Sequence, residues 1–234
     1  MPAGERVLVI GATQGTGCHI VRRLLRDGYA VRVLARNQGK AKDRFGDSAE
    51  IVQGDVTRRE TLPPALAGID HLILTAGVTT RTAAQALVKA TVYDGTLNVL
   101  AAARQAGLAG RFMYMGAIGT TRGSVTSFAL NLVKGNTLRW RRLGEEEIRR
   151  SGLAYTIVHA GVLRDAPAGL HPVHVGQKPY RMSLRYRIGR EDAAEVFVQA
   201  LRRPQTRNTT FDAVWGRGAG PTDWDAVFAG LVPD

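Results

Sequence analysis

Residues 6 to 17 read Arg-Val-Leu-Val-Ile-Gly-Ala-Thr-Gln-Gly-Thr-Gly, a short apolar run that passes directly into a turn with glycines at Gly11, Gly15 and Gly17. The run is apolar on both faces, as an inner parallel strand must be when helices cover both sides. A helix-forming run from Cys18 to Asp27 follows at once. The three glycines serve different ends. Gly11 allows the tight turn, Gly15 removes a Cβ that would hold a pyrophosphate off the backbone, and Gly17 lets helix pack closely on strand. The N–H groups that open the helix can then bind an anion. With Thr13, Gln14 and Thr16 between the glycines, the segment reads as the phosphate cradle of a dinucleotide site.

The rest of the chain repeats the same alternation. Apolar runs recur at Val7 to Ile10, Ala30 to Leu34, Ile51 and Val52, Leu72 to Leu74, Phe112 to Met115, and Tyr155 to Val158, with a late strand at Thr210 to Val214. Helices are expected over Gly15 to Asp27, Thr61 to Ala67, Ala83 to Gln105, Thr137 to Ser151, Arg190 to Arg202, and Asp223 to Leu231. Short β-rich runs separated by helical segments imply an α/β fold, a doubly wound parallel sheet with helices on both faces. One domain over residues 1–234 suits the length. Two irregular insertions, about 116–136 and 161–188, follow strands and are rich in Gly, Pro, Thr or His. They would leave the carboxyl ends of the sheet, where ligands bind, as substrate walls or lids.

The formal charge of +12 invites a nucleic-acid reading, but the arginines are scattered and have no aromatic platforms interleaved. A basic surface that attracts anionic cofactors or substrates is expected instead. No apolar run approaches the roughly 20 residues of a membrane span, and the lead from Met1 to Glu5 is no secretory signal. The expected setting is therefore cytoplasmic, as a monomer or homodimer with a small-molecule substrate and without membrane or nucleic-acid partners. Cys18 is the only cysteine, which excludes an internal disulfide, and it reads as a small core residue. His171 and His174 lack a third ligand, so no metal is expected.

Cofactor choice turns on the end of the second strand. An acid there would accept from an adenosine 2′-OH, whereas an arginine suits a 2′-phosphate; this chain has Arg36, with Lys40 and Lys42 just beyond. NADP(H) is the expected cofactor. Asp55, in Gly54-Asp55-Val56, is offered to the adenine amino group, and Ala76-Gly77 gives a floor without bulky side chains beneath the ribose and diphosphate.

These residues carry a resemblance. The chain resembles an atypical short-chain dehydrogenase/reductase of the NAD(P)H-binding, NmrA-like group, with a Rossmann-like fold. The likeness includes the segment from Gly11 to Gly17, Arg36, Gly54-Asp55-Val56, Tyr93-Asp94-Gly95-Thr96, Ser151-Gly152-Leu153 before Tyr155-Thr156-Ile157-Val158, and Arg190-Glu191-Asp192-Ala193-Ala194. It implies a nicotinamide near Gly116 and near His159-Ala160-Gly161.

Short-chain dehydrogenases typically use a Ser-Tyr-Lys constellation, in which tyrosine and lysine four apart project from one helix face. No Tyr-x-x-x-Lys occurs in this sequence. By the Ser-Gly-Leu landmark, Thr137 and Arg141 fall where that pair would sit, and Gly116-Ala117 replaces the usual serines. The flavin and biliverdin reductase branch of the family lacks the same pair. The expectation is thus an NADPH-dependent oxidoreductase delivering hydride to a conjugated or aromatic-type acceptor (quinone, flavin or enone). The alternatives are a non-catalytic NADP(H)-binding regulator or sensor, or a redox-neutral cyclase or isomerase. Candidate catalytic residues are His159, Thr120 and Arg141, with Thr121 and Ser124 as further hydroxyls able to reach a carbonyl. Tyr114, within a strand, is expected in the core.

Overall fold

The computed structural model describes residues 4–78, 84–121 and 123–234. Its strands are β1 (Arg6–Ile10), β2 (Ala30–Ala35), β3 (Glu50–Gln53), β4 (His71–Leu74), β5 (Arg111–Ala117), β6 (Ala154–Ala160), β7 (Val162–Arg164), β8 (Val173–Gly176), β9 (Arg187–Gly189) and β10 (Thr209–Trp215). Eight of them form one sheet in the order β3-β2-β1-β4-β5-β6-β10-β8. All neighbours in it are parallel except the edge strand β8, which runs antiparallel to β10. Strands β7 and β9 make a separate parallel pair.

The helices are α1 (Gly15–Arg26), α2 (Gln38–Phe45), α3 (Pro63–Leu66), α4 (Gln85–Val88), α5 (Gly95–Gln105), α6 (Val125–Val133), α7 (Thr137–Arg150), α8 (Arg190–Leu201) and α9 (Trp224–Phe228). A π-helical segment, Lys89–Asp94, joins α4 to α5. One layer of core lies under α1 and α8, where Ile20, Val21, Leu24, Val196 and Phe197 pack on Val7, Val9 and Val33. The opposite layer lies under α3, α5 and α7, where Leu66, Val99, Ala103 and Ile148 pack on Leu8, Leu72 and Phe112. The central strands are buried on both faces, and so read as unbroken apolar runs. Free Cys18 is buried in the first layer.

Departures from the sequence-based expectation have local causes. The helix expected over Thr61 to Ala67 shrinks to α3, because Pro63 and Pro64 permit only a helical start. Helix α2 occupies a segment whose Lys and Gly content conceals it; its signal is the cap, Asn37 Oδ1 accepting from the Lys40 N–H at 3.0 Å. The segments after β5 and β6, expected to be irregular, hold α6 and the strands β7, β8 and β9. Ala83, the expected start of a long helix, lies outside the described residues, as do Met1 to Ala3 of the N-terminal lead.

Candidate functional site

The order β3-β2-β1-β4-β5-β6 places a topological switch point between β1 and β4, and a cleft of about 530 Å³ opens at the carboxyl ends of these strands. Its floor is the glycine loop. Gly11 has φ +90°, and a Cβ there would stand 2.7 Å from the Ala76 nitrogen; at Gly17 it would overlap the Gly11 carbonyl oxygen. The loop is pinned from β4, where Thr75 Oγ1 donates to the Ile10 carbonyl at 3.0 Å. Gly15, at φ +58°, has open space before it, the nearest atom being Arg190 Nε at 3.8 Å from a built Cβ. Helix α1 starts at that point with no side-chain cap and no acid in its first turn. The Thr16 hydroxyl beside it is buried without a hydrogen-bond partner. Open amide donors, an orphaned hydroxyl and a space that a Cβ would fill fit a diphosphate.

Around this floor the cleft is lined by Thr13, Gln14, Arg36, Asp55, Val56, Ala76, Gly77, Met115, Arg141, Asp165 and Arg190, among others. Arg36 stands exposed at the end of β2. The Asp55 carboxylate accepts from the N–H and the hydroxyl of Thr57, both at 2.9 Å, which fixes its turn. Arg141, one turn into α7, donates from Nη1 to the Met115 carbonyl at 2.5 Å. It passes so close to Gly77 that a Cβ there would stand 2.9 Å from Nη2, so Gly77 is the residue that admits this guanidinium. Arg190 opens α8 and pairs with Asp165 at 2.6 Å. In the sequence Arg190 figures only within a family landmark; α8 begins directly after β9, and this places the Arg190 guanidinium over Gly15 of the glycine loop.

His159 lies elsewhere than expected. It is only 2% exposed and does not line the cleft. Its Nδ1 lies 2.9 Å from Asp212 Oδ1 on β10 and its Nε2 lies 3.0 Å from Glu145 Oε2 on α7. Burial lowers the imidazole pKa, but the Glu145 charge and the hydrogen bonds to Asp212 and Glu145 outweigh it and hold the pKa at about 9. Both ring nitrogens then donate, and the group is an imidazolium clamped between carboxylates. Asp212 also accepts from the Tyr180 N–H at 2.6 Å, tying the segment after β8 to the sheet. Sequence reasoning missed Glu145 and Asp212. A signal existed for Glu145, which shares with Leu138, Arg141 and Ile148 the inward spacing of α7.

Other expected site residues also fall outside the cleft. Gly116 faces the buried cluster, where a Cβ would meet His159 Cδ2 at 2.5 Å and Glu145 Oε1 at 2.6 Å. Ala160 is in the core, and Gly161 is needed where a Cβ would meet the Tyr186 carbonyl at 2.9 Å. Thr120 is buried, donating to the Ala117 carbonyl at 3.0 Å, with His159 Nε2 3.4 Å away. Lys40 is exposed on α2 and its backbone serves the cap. Thr121 is exposed, and Ser124 caps α6 by accepting from the Ser127 N–H at 3.1 Å. Tyr114 is buried with its hydroxyl unpartnered, and burial raises its pKa. His171 Nδ1 lies 3.0 Å from the Gly218 carbonyl, and His174 stands edge-on to Tyr180.

A parallel sheet with a glycine cradle at its switch point defines a Rossmann-like dinucleotide-binding protein. The chain belongs to the NAD(P)H-binding family of atypical short-chain dehydrogenases/reductases, whose profile matches residues 11–204. Sanguinarine reductase from Eschscholzia californica is 28% identical over 259 residues, covering 95% of this chain and 94% of that protein. An NAD(P)H azoreductase from Xenophilus azovorans is 25% identical over 216 residues, covering 88% of this chain and 66% of that protein. A Bacillus halodurans structure, of an epimerase/dehydratase candidate, superposes with a TM-score of 0.80 at 25% identity, covering 97% of this chain and all of that one. Reductases are thus among the relatives of this chain.

Proposed function

We propose that this protein is an NADPH-dependent oxidoreductase that delivers hydride to a small conjugated or aromatic-type acceptor such as a quinone, a flavin or an enone. The observation that carries the reading is the charged lining of the cleft. It consists of Arg36, Asp55, Arg141, Asp165 and Arg190, and the described residues that line the cleft include no histidine, cysteine, tyrosine or lysine. The imidazole that could have served as acid, His159, is sealed between Glu145 and Asp212. An acceptor that delocalises the incoming charge takes its proton from solvent, and positioning and exclusion of water then do most of the catalysis.

A nicotinamide dinucleotide held in this cleft would supply the hydride. The chain holds and orients: Gly11, Gly15 and Thr16 receive the diphosphate, and Arg190 above Gly15 adds positive charge to it. Arg36 takes the 2′-phosphate, a role that its forked guanidinium suits better than lysine would. Arg141, anchored on the Met115 carbonyl, orients the ribose or an anionic edge of the acceptor. The reductase relatives support hydride transfer; the place of Arg36 at the cleft supports NADPH over NADH.

The purified protein is expected to oxidise NADPH when offered acceptors of these three kinds. Arg36→Asp should lower NADPH affinity roughly tenfold to a hundredfold, the loss of a charge-assisted hydrogen-bond pair, and bring NADH to parity or better. NADPH binding without turnover across such a panel would sink the reductase reading and leave the regulator or redox-neutral alternatives. Unchanged preference in Arg36→Asp would sink the 2′-phosphate assignment.

A further inference from the structure

Helix α6 is amphipathic in the inverse sense to an ordinary surface helix. Val125, Phe128 and Leu132 are 87%, 73% and 77% exposed, and at spacing i, i+3 and i+7 they form one outward stripe, flanked by exposed Ala129 and Val133. The inward face is the polar one. Ser127 is buried with its hydroxyl 3.0 Å from that of Ser124, and Asn131 Oδ1 accepts from the Leu138 N–H at 2.9 Å. Leu184, also 75% exposed, lies two residues beyond Met182, whose carbonyl accepts from Ser124 Oγ at 3.1 Å at the start of α6. A single exposed leucine is ordinary, but a contiguous stripe marks a contact surface.

The charge of the two segments that carry these apolar residues points to an anionic partner. The sequence has no Asp or Glu between Asp94 and Glu145, and none between Asp165 and Glu191. Helix α6 and the turn with Leu184 belong to these two acid-free stretches, which also carry Lys134 and the exposed Arg139, Arg181 and Arg185. A second copy meeting this face across a two-fold axis would set a cationic patch against itself. An anionic surface has no such conflict. Side chains exposed by three quarters stand proud instead of lining a groove, which suits a fluid partner that closes around them.

We infer that α6 is a membrane-docking helix, laying Val125, Phe128 and Leu132 into the headgroup boundary of an anionic lipid bilayer while Lys134, Arg139, Arg181 and Arg185 meet the lipid phosphates. This departs from the expectation of no membrane partner, which rested on the lack of a spanning segment. Among the described residues no helix is long and apolar enough to cross a membrane, and a helix lying in the interface does not need to be. The inference is independent of the reductase reading.

The test is co-sedimentation of the whole chain with vesicles of phosphatidylglycerol mixed with phosphatidylcholine, against vesicles of phosphatidylcholine alone. Binding to the anionic vesicles is expected to be at least about tenfold stronger and to weaken with salt, since each cation near the surface contributes roughly fivefold. Phe128→Ser combined with Leu132→Ser should reduce it by about tenfold or more, with the melting temperature and NADPH affinity unchanged because both side chains are already exposed. Arg139→Gln combined with Arg185→Gln should reduce it while leaving the apolar stripe intact. No binding, equal binding to both vesicles, or full binding by the serine variant would overturn the inference. A dimer in sedimentation velocity that Phe128→Ser dissolves would overturn it in favour of a second copy of this chain.

Discussion

At Gly15 an added Cβ would meet nothing closer than the Arg190 guanidinium at 3.8 Å, whereas at Gly116 it would meet His159 Cδ2 at 2.5 Å and Glu145 Oε1 at 2.6 Å. Both glycines lie toward the carboxyl edge of the sheet, and both suggest a bound nicotinamide dinucleotide when read in sequence. The first leaves space that faces the cleft. The second leaves space that the protein fills with its own charges. A glycine after a strand therefore reports a close approach without saying by what, and only the neighbour's identity separates ligand cradle from packed interior.

The largest effect is expected from removing a charge from the buried cluster. Asp212→Ala leaves the imidazolium with one carboxylate and the Tyr180 N–H without its acceptor, and should cost about 3–5 kcal/mol of unfolding free energy. Denaturant melts would show it; a loss near zero would mean that the cluster is not charged as described.

The next largest effect is set by pH. The His159 pKa is raised in the folded state, so its stabilisation is complete below the ordinary value of 6.5 and is lost as pH rises through about 9. Stability should fall by on the order of 3 kcal/mol across that window, and His159→Gln should flatten the profile. A profile that rises with pH in the wild type would contradict the clamped imidazolium.

The two glycines themselves come third. Gly116→Ala overpacks the interior and should cost about 1–3 kcal/mol, with little direct effect on NADPH affinity. Gly15→Ala strains a left-handed residue by only about 1 kcal/mol, yet should weaken NADPH binding about tenfold by filling the cradle. Calorimetry of both variants with and without NADPH separates the two patterns, and identical behaviour would erase the distinction. Smallest is Arg190→Gln, expected to weaken NADPH binding about fivefold as one charge leaves the diphosphate. Titration with NADPH measures it, and an unchanged affinity would remove Arg190 from that role.

The legible parts of the chain were those in which local sequence and tertiary role coincide. Strand β1, the glycine turn and the start of α1 are contiguous, so Gly11, Gly15 and Gly17 announce their function within seven residues. Arg36 and Ala76-Gly77 follow strands in the same way, and they line the cleft as their positions suggest. His159 also follows this logic, since it sits near the end of a strand, but strand alternation turned it inward toward partners 14 residues back and 53 ahead. Nothing local in Asp212 reveals that pairing. Helix α6 was hidden for the opposite reason: its apolar residues suggest a buried helix, while a Gly- and Thr-rich approach suggests a loop.

The sequence by itself determined the α/β alternation, the anion-binding loop and the absence of a Tyr-Lys pair, because each depends on residue type and spacing over a few turns of chain. The tertiary structure decided the rest. It brought Arg190 over Gly15, fitted Arg141 into the space that Gly77 leaves, closed Glu145 and Asp212 on His159, and turned the apolar stripe of α6 outward. Those outcomes depend on which elements the sheet order makes neighbours, and contacts between residues far apart in sequence are fixed only when the layers pack.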